Sequence, residues 1–262
     1  QRTNYESASR FLVSSKLIVA SFSLPISLDD DETTFSNRFD QLKSIVDIAG
    51  NCSARCGVLD VRNGTDRLPY PEYFDVVRKR IDQIAELLAT KGIRLALRLK
   101  AVPEGSEKQF KFVRDVGGLV ALVRSCTSKN AGVVLDSWNW HLGGGVPSHL
   151  DDIGIDRVAL VYLADCKEGV DAAAATVEDR LLPCSTGVID NAQWLRKLVG
   201  RDIGVAGLGA SPGGTVTRDA YISQLQDALN DSLAAAGMPV TKRKPQHFAD
   251  SAESLTATEF KS

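Results

Sequence analysis

Proton transfer near neutral pH needs a group that titrates there, and His141 is the candidate among the three histidines of the sequence. It follows Asp136, Ser137, Trp138, Asn139 and Trp140 and runs into Gly143, Gly144 and Gly145. To act as a donor or base it needs a carboxylate to orient it, and Asp136 or Asp165 can do so; without one it is a solvated loop histidine. Trp138 and Trp140 offer aromatic faces for a sugar ring or, equally, a hydrophobic lid. Ser211 to Gly214 (SPGG) can cradle a phosphate through backbone N–H groups or form a plain turn. Cys52 and Cys56 lie close together, but no second Cys or His pair stands at zinc-site spacing, so they read as packed thiols near a helix end. His149 and His247 read as peripheral.

These residues must be positioned by regular elements. Apolar runs rich in Val, Ile and Leu recur at Leu17 to Leu24, Cys56 to Val61, Ile93 to Leu99, Ala131 to Leu135, Val158 to Leu163 and Ile203 to Leu208. Near-continuous runs of this kind mark strands covered on both faces. Helical patterns alternate with them: Thr34 to Ala49, Pro71 to Lys91, Glu107 to Cys126, Asn191 to Val199 and Arg218 to Ala236. The alternation implies βαβ units and a parallel sheet, and the absence of a Gly-x-Gly-x-x-Gly turn after the first strand favours an α/β barrel of the TIM (β/α)8 type over a dinucleotide-binding sheet. Six strands are countable where a closed barrel needs eight. The first 16 residues read as a helix ahead of what would be the third strand, so the first one or two βα units are expected to lie outside the sequence. Residues 1–238 are assigned to the barrel and 239–262, with a basic cluster at Lys242 to Lys244, to a polar tail.

Ordered motifs along the chain resemble the xylose-isomerase-like superfamily of sugar phosphate isomerases and epimerases. Leu135 to Gly145 is similar to its "LDtWHww-GG" segment, Gly92 to Arg98 to "gv-lalE", Val161 to Asp165 to "vHlkD", Asp179 to Asp190 to "dR-lPGeGviD", and Gly200 to Leu208 to "GYdGpvgvE". The resemblance covers roughly Leu17 to Ala236 and implies a divalent cation held by two Glu, one Asp and one His. The matching positions here are Arg98, Asp136, Tyr162 and Leu208. One carboxylate of three remains, and a guanidinium has entered. Like charges at a cation site cost about 4 kcal/mol at 4 Å for an effective dielectric near 20. No metal or other cofactor is therefore expected, and an Arg98–Asp136 ion pair is the simplest replacement.

The polar set that remains comprises Arg98, Lys100, Asp136, Asn139, His141, Asp165, Lys167 and Arg180, with Tyr162 and Trp138 beside it. It can bind a sugar-like or anionic small molecule, or simply cap the barrel. Two functions stand side by side. One is a degenerate barrel that binds such a ligand without metal-dependent catalysis. The other is a metal-independent isomerase, epimerase or lyase in which His141, Asp136 and Asp165 do acid–base work. The balance of 31 Lys and Arg against 33 Asp and Glu offers no footprint for nucleic acid, and no apolar run reaches the roughly 18 residues of a membrane span. Five scattered cysteines suit free thiols and a cytoplasmic setting, and a homodimer is left open.

Overall fold

A computed structural model of the chain describes residues 7, 9–12, 14, 15, 17–102, 107–209 and 216–240. Each of the six apolar runs contains a strand. In chain order the elements are β1 (Phe22–Ser23), α1 (Glu32–Asn51), β2 (Cys56–Val61), β3 (Gly64–Thr65), α2 (Tyr70–Ala89), β4 (Arg94–Leu99), β5 (Phe110–Lys111) and α3 (Val116–Ser125). Then come β6 (Ala131–Asp136), α4 (Ser137–Leu142), α5 (Ser148–Ile153), β7 (Val158–Leu163), β8 (Asp165–Cys166), β9 (Arg180–Leu181), α6 (Asn191–Arg196), β10 (Gly204–Gly207) and α7 (Arg218–Ala235). The main sheet is ordered β1-β2-β4-β6-β7-β10, and every neighbouring pair in it is parallel.

Alternation along the strands divides the side chains into two layers. Leu59, Leu95, Leu97, Val133, Leu135, Val161 and Leu163 pack outward with Leu42, Val77, Ile81, Ile84, Leu119 and Leu122 of the helices in the main core. Cys56, Val58, Ala96, Val134 and Leu160 form a separate cluster on the opposite, inward face. The sheet curls so that its ends approach: Arg55 pairs with Asp202 at 3.0 Å, and Ser21 Oγ lies 3.2 Å from Tyr162 Oη. At the foot of β6 the carbonyl of Arg157 presses on Gly132, where a Cβ would stand 2.3 Å from that oxygen, so only glycine fits.

Two expectations change. The helix expected from Glu107 begins only at Val116, because Asp115 caps it by accepting from Gly118 N at 2.7 Å, while Phe110–Lys111 pairs antiparallel with Gly64–Thr65. Of the run Leu17 to Leu24, only Phe22–Ser23 is strand, since its ladder with β2 starts at Phe22 opposite Gly57. The tail from residue 241 and the SPGG segment lie outside the described residues. Among the described residues no helix is long and apolar enough to cross a membrane.

Candidate functional site

The inward alternation that places Val58, Ala96, Val134 and Leu160 in an apolar layer continues two residues on to Asp60, Arg98, Asp136 and Tyr162, which form a polar layer at the C-terminal ends of β2, β4, β6 and β7. Asp60 and Arg98 are register partners across β2 and β4, and the guanidinium grips the carboxylate with both forks: Nε to Oδ1 at 2.6 Å and Nη2 to Oδ2 at 2.9 Å. Burial works to lower the Arg98 pKa, but the bond to Asp60 and the charges of Asp60 and Asp136 outweigh it and hold the guanidinium above its ordinary value. The expected Arg98–Asp136 pair is therefore corrected to Arg98–Asp60. Register decides it, because Asp60 stands directly opposite Arg98 while Asp136 is occupied elsewhere.

Asp136 is fully buried and caps α4: Oδ1 accepts from Asn139 N at 3.1 Å and Oδ2 from Asn139 Nδ2 at 2.9 Å. Asn139 in turn accepts from Ala101 N at 3.1 Å, tying the end of β6 to the chain leaving β4. Replacing Asn139 by alanine removes one of the two hydrogen bonds to the buried Asp136 carboxylate, and a loss of about 2 kcal/mol is expected in urea unfolding, with secondary structure unchanged by circular dichroism.

Asp165 is also fully buried and accepts four backbone N–H groups, from Cys166 at 2.8 Å, Thr186 at 2.9 Å, Gly187 at 2.8 Å and Ile189 at 3.0 Å. Burial raises its pKa, and the backbone bonds more than compensate, so it sits below the ordinary carboxylate value. It pins the long excursion between β7 and α6 within which β8 and β9 pair. His141 is exposed on the last turn of α4, and the hydrogen bonds of Asp136 and Asp165 go to the groups just named and not to its imidazole. The structure thus gathers Arg98, Asp136, Asn139 and Tyr162 with Asp60 and Ser21, and leaves His141 without the carboxylate that acid–base work requires.

The two tryptophans of α4 part company. Trp140 turns into the main core, donating to Val134 O at 3.1 Å and meeting Trp194 edge-on at 5.6 Å, so it serves neither as a sugar-stacking face nor as a lid, the two places open to it from sequence. Trp138 is buried in a satellite cluster with Val102, Ala164, Cys166, Ala175 and Ile189, against which Leu208 packs. The Arg180 guanidinium lies over its ring at 5.5 Å. Trp138 Nε1 lies near the Cys166 sulfur, a weak acceptor, but makes no hydrogen bond, and the buried Arg180 Nε and Asn191 Oδ1 also lack partners. Lys100 follows β4, half-buried, its N–H on Val61 O at 3.2 Å, and Lys167 is exposed and paired with Asp179 at 3.0 Å. Asp60, Ser21 and Asn191 escaped the sequence reading. Asp60 carried a signal, being a carboxylate near the end of an otherwise apolar run.

These donors do not fit a divalent cation. Both Asp136 oxygens are engaged by Asn139, Leu208 offers no donor, and a guanidinium stands among the rest. Among the described residues no group of three or more His, Cys, Asp and Glu side chains can hold a metal ion.

Comparison with known proteins bears on this geometry. A xylose isomerase domain protein from Alicyclobacillus acidocaldarius superposes with a TM-score of 0.78 at 22% identity, covering 90% of this chain and 84% of its own. The IOLI protein, whose crystal structure has a bound zinc atom, gives 0.72 at 15% identity over 91% and 83%. A D-tagatose 3-epimerase-like protein gives 0.66 at 18% over 90% and 85%. At these identities the likenesses establish the fold alone. No curated protein matches the sequence. The family model described as xylose isomerase-like TIM barrel matches residues 2–231. Six parallel strands in barrel order, polar residues at their C-terminal ends and a family match over most of its length together show that this chain belongs to the xylose isomerase-like TIM barrel family.

Proposed function

We propose that this chain is a ligand-binding barrel that has lost metal-dependent catalysis and takes an oxygen-rich, sugar-like or anionic small molecule at its mouth. The observation that carries the reading is Arg180: a guanidinium laid over the Trp138 ring, with a buried Nε that finds no acceptor. A buried donor without a partner is costly, and a carboxylate, phosphate or hydroxyl oxygen from a ligand would satisfy it. The solved structures of similar fold include a 3-keto-D-glucoside 4-epimerase, which favours a polyol skeleton. Against a metal speaks the Arg98–Asp60 pair in the polar layer, and against acid–base work speaks the distance in bonding between His141 and the two aspartates.

Calorimetric titration with D-xylose, gluconate and inorganic phosphate tests the reading. Gluconate, a polyhydroxy carboxylate, is expected to bind, and Arg180→Met to weaken it about tenfold or more, the worth of a charge-assisted hydrogen bond, with little change in melting temperature. Silence from all three probes, equal affinity in Arg180→Met, or tight stoichiometric Mn²⁺ binding by the unmodified protein would each refute it.

A further inference from the structure

Apart from the main core, one apolar cluster joins the excursion between β7 and α6 to the barrel. Cys166, Ala175 and Ile189 come from the excursion, Val102 and Trp138 from the chain after β4 and from α4, and Leu208 packs against them. Cys166 and Arg180 are register partners in the β8–β9 ribbon, which turns both side chains to the same face. Both meet Trp138: Cys166 shares its cluster, and the guanidinium stands 5.5 Å from the ring. Arg180 Nε and Trp138 Nε1 are sealed from solvent there, each without a hydrogen-bond partner. Buried donors left empty are costly. A ligand oxygen would relieve Arg180, but it cannot reach a sealed atom while the excursion stays down.

The excursion is fastened unevenly. At its root Asp165 holds the N–H groups of Thr186, Gly187 and Ile189. Farther out, among the described residues, the side-chain bonds of residues 167–179 run within the excursion: Asp179 accepts from Lys167 Nζ at 3.0 Å, Thr176 N at 2.9 Å and Thr176 Oγ1 at 3.0 Å. Of these residues Ala175 alone is buried. The span therefore coheres through its own bonds and is held to the barrel by a small apolar cluster, whose loss leaves the main core untouched. Such units open at lower cost than the whole fold. We propose that residues 166–181 form a lid that lifts as one piece to admit a ligand to Arg180 and Trp138 and shuts over it, with Asp165 as the clasp at its root. The inference rests on the reading of Arg180 as the ligand's contact.

Iodoacetamide labelling of the intact native chain, read at each thiol by peptide mass spectrometry, tests it. Cys56, Cys126 and Cys166 are all buried, but Cys126 lies in the main core, Cys56 in the inward apolar layer and Cys166 in the cluster beneath the lid. Cys166 is expected to be labelled about tenfold faster than the other two, at a rate that changes little in urea below the unfolding transition, because lifting the lid exposes little surface. Cys56 and Cys126 should follow global unfolding, with its steep urea dependence. Saturating gluconate should slow the labelling of Cys166 about tenfold, since a bound ligand keeps the lid shut. Three equal rates with one steep urea dependence would overturn the lid, as would gluconate that binds and leaves the labelling of Cys166 unchanged; both results leave the reading of Arg180 standing. Failure of gluconate, D-xylose and phosphate alike to bind overturns that reading, and the lid as a gate falls with it.

Discussion

Asp165→Ala is expected to lower the stability of the protein by on the order of 4 kcal/mol, or a fall in melting temperature of roughly 10 °C. The carboxylate accepts from four backbone N–H groups, three of them on residues 186–189, and alanine leaves all four unmatched, with those of Cys166 and Ile189 buried. Asparagine is not a conservative rescue, because its NH₂ would face donors. Local opening should be visible as well: Cys166, buried beside Asp165 with its thiol pushed up by burial, should become reactive to a thiol reagent, while Cys184 is exposed from the start. Protection of Cys166 in the variant equal to that in wild type would show that the excursion is held by something else. The same carboxylate sets part of the acid limb. Its folded pKa is lowered from 3.8, so its contribution is complete above that ordinary value and is lost as the pH falls through the lowered one. In Asp165→Ala that portion of the pH dependence below about pH 4 should flatten.

The second large effect lies at the other side of the mouth. Arg80 on α2 is buried and reaches the chain leaving β1, donating to Leu28 O at 2.9 Å and to Asp30 O, pairing with Glu32 at 2.9 Å and lying over the Phe35 ring at 4.1 Å. Arg67 donates to Asp29 O and Asp30 O, and Thr65 Oγ1 to Asp29 Oδ1 at 2.6 Å. The strand feeding this loop is only two residues long, so side chains must hold what backbone pairing does not. Arg80→Leu, which keeps the apolar stem but strands the Leu28 carbonyl and takes one of two donors from that of Asp30, is expected to cost about 2 kcal/mol in urea unfolding. Glu32→Ala, removing a partner whose side chain is 84% exposed, should cost no more than about 0.5 kcal/mol. Equal losses in the two variants would mean that the ion pair, and not the carbonyl bonds, anchors the loop.

The parallel strands were legible because both faces are covered, which leaves near-continuous apolar runs; Cys56 to Val61 and Val158 to Leu163 coincide with β2 and β7 to the residue. The chain's place in a barrel family was legible in motifs of several residues each. The two-residue ribbons β3–β5 and β8–β9 were not, because backbone pairing that short leaves no periodicity to read.

At the site, order along the chain pointed to particular residues: Asp136 and Asp165 follow apolar runs, Arg98 and Tyr162 stand one residue before the ends of theirs, and Arg180 lies in a family-like motif. Which partner each of them takes was decided only by the tertiary structure. Strand register set Arg98 against Asp60, the return of the chain at residues 186–189 closed around Asp165, and the turn of one short helix sent Trp138 toward Arg180 and Trp140 into the core. Hydrogen bonds and ion pairs act over a few ångströms in space, and nothing in the local sequence records the distance between groups that lie tens of residues apart.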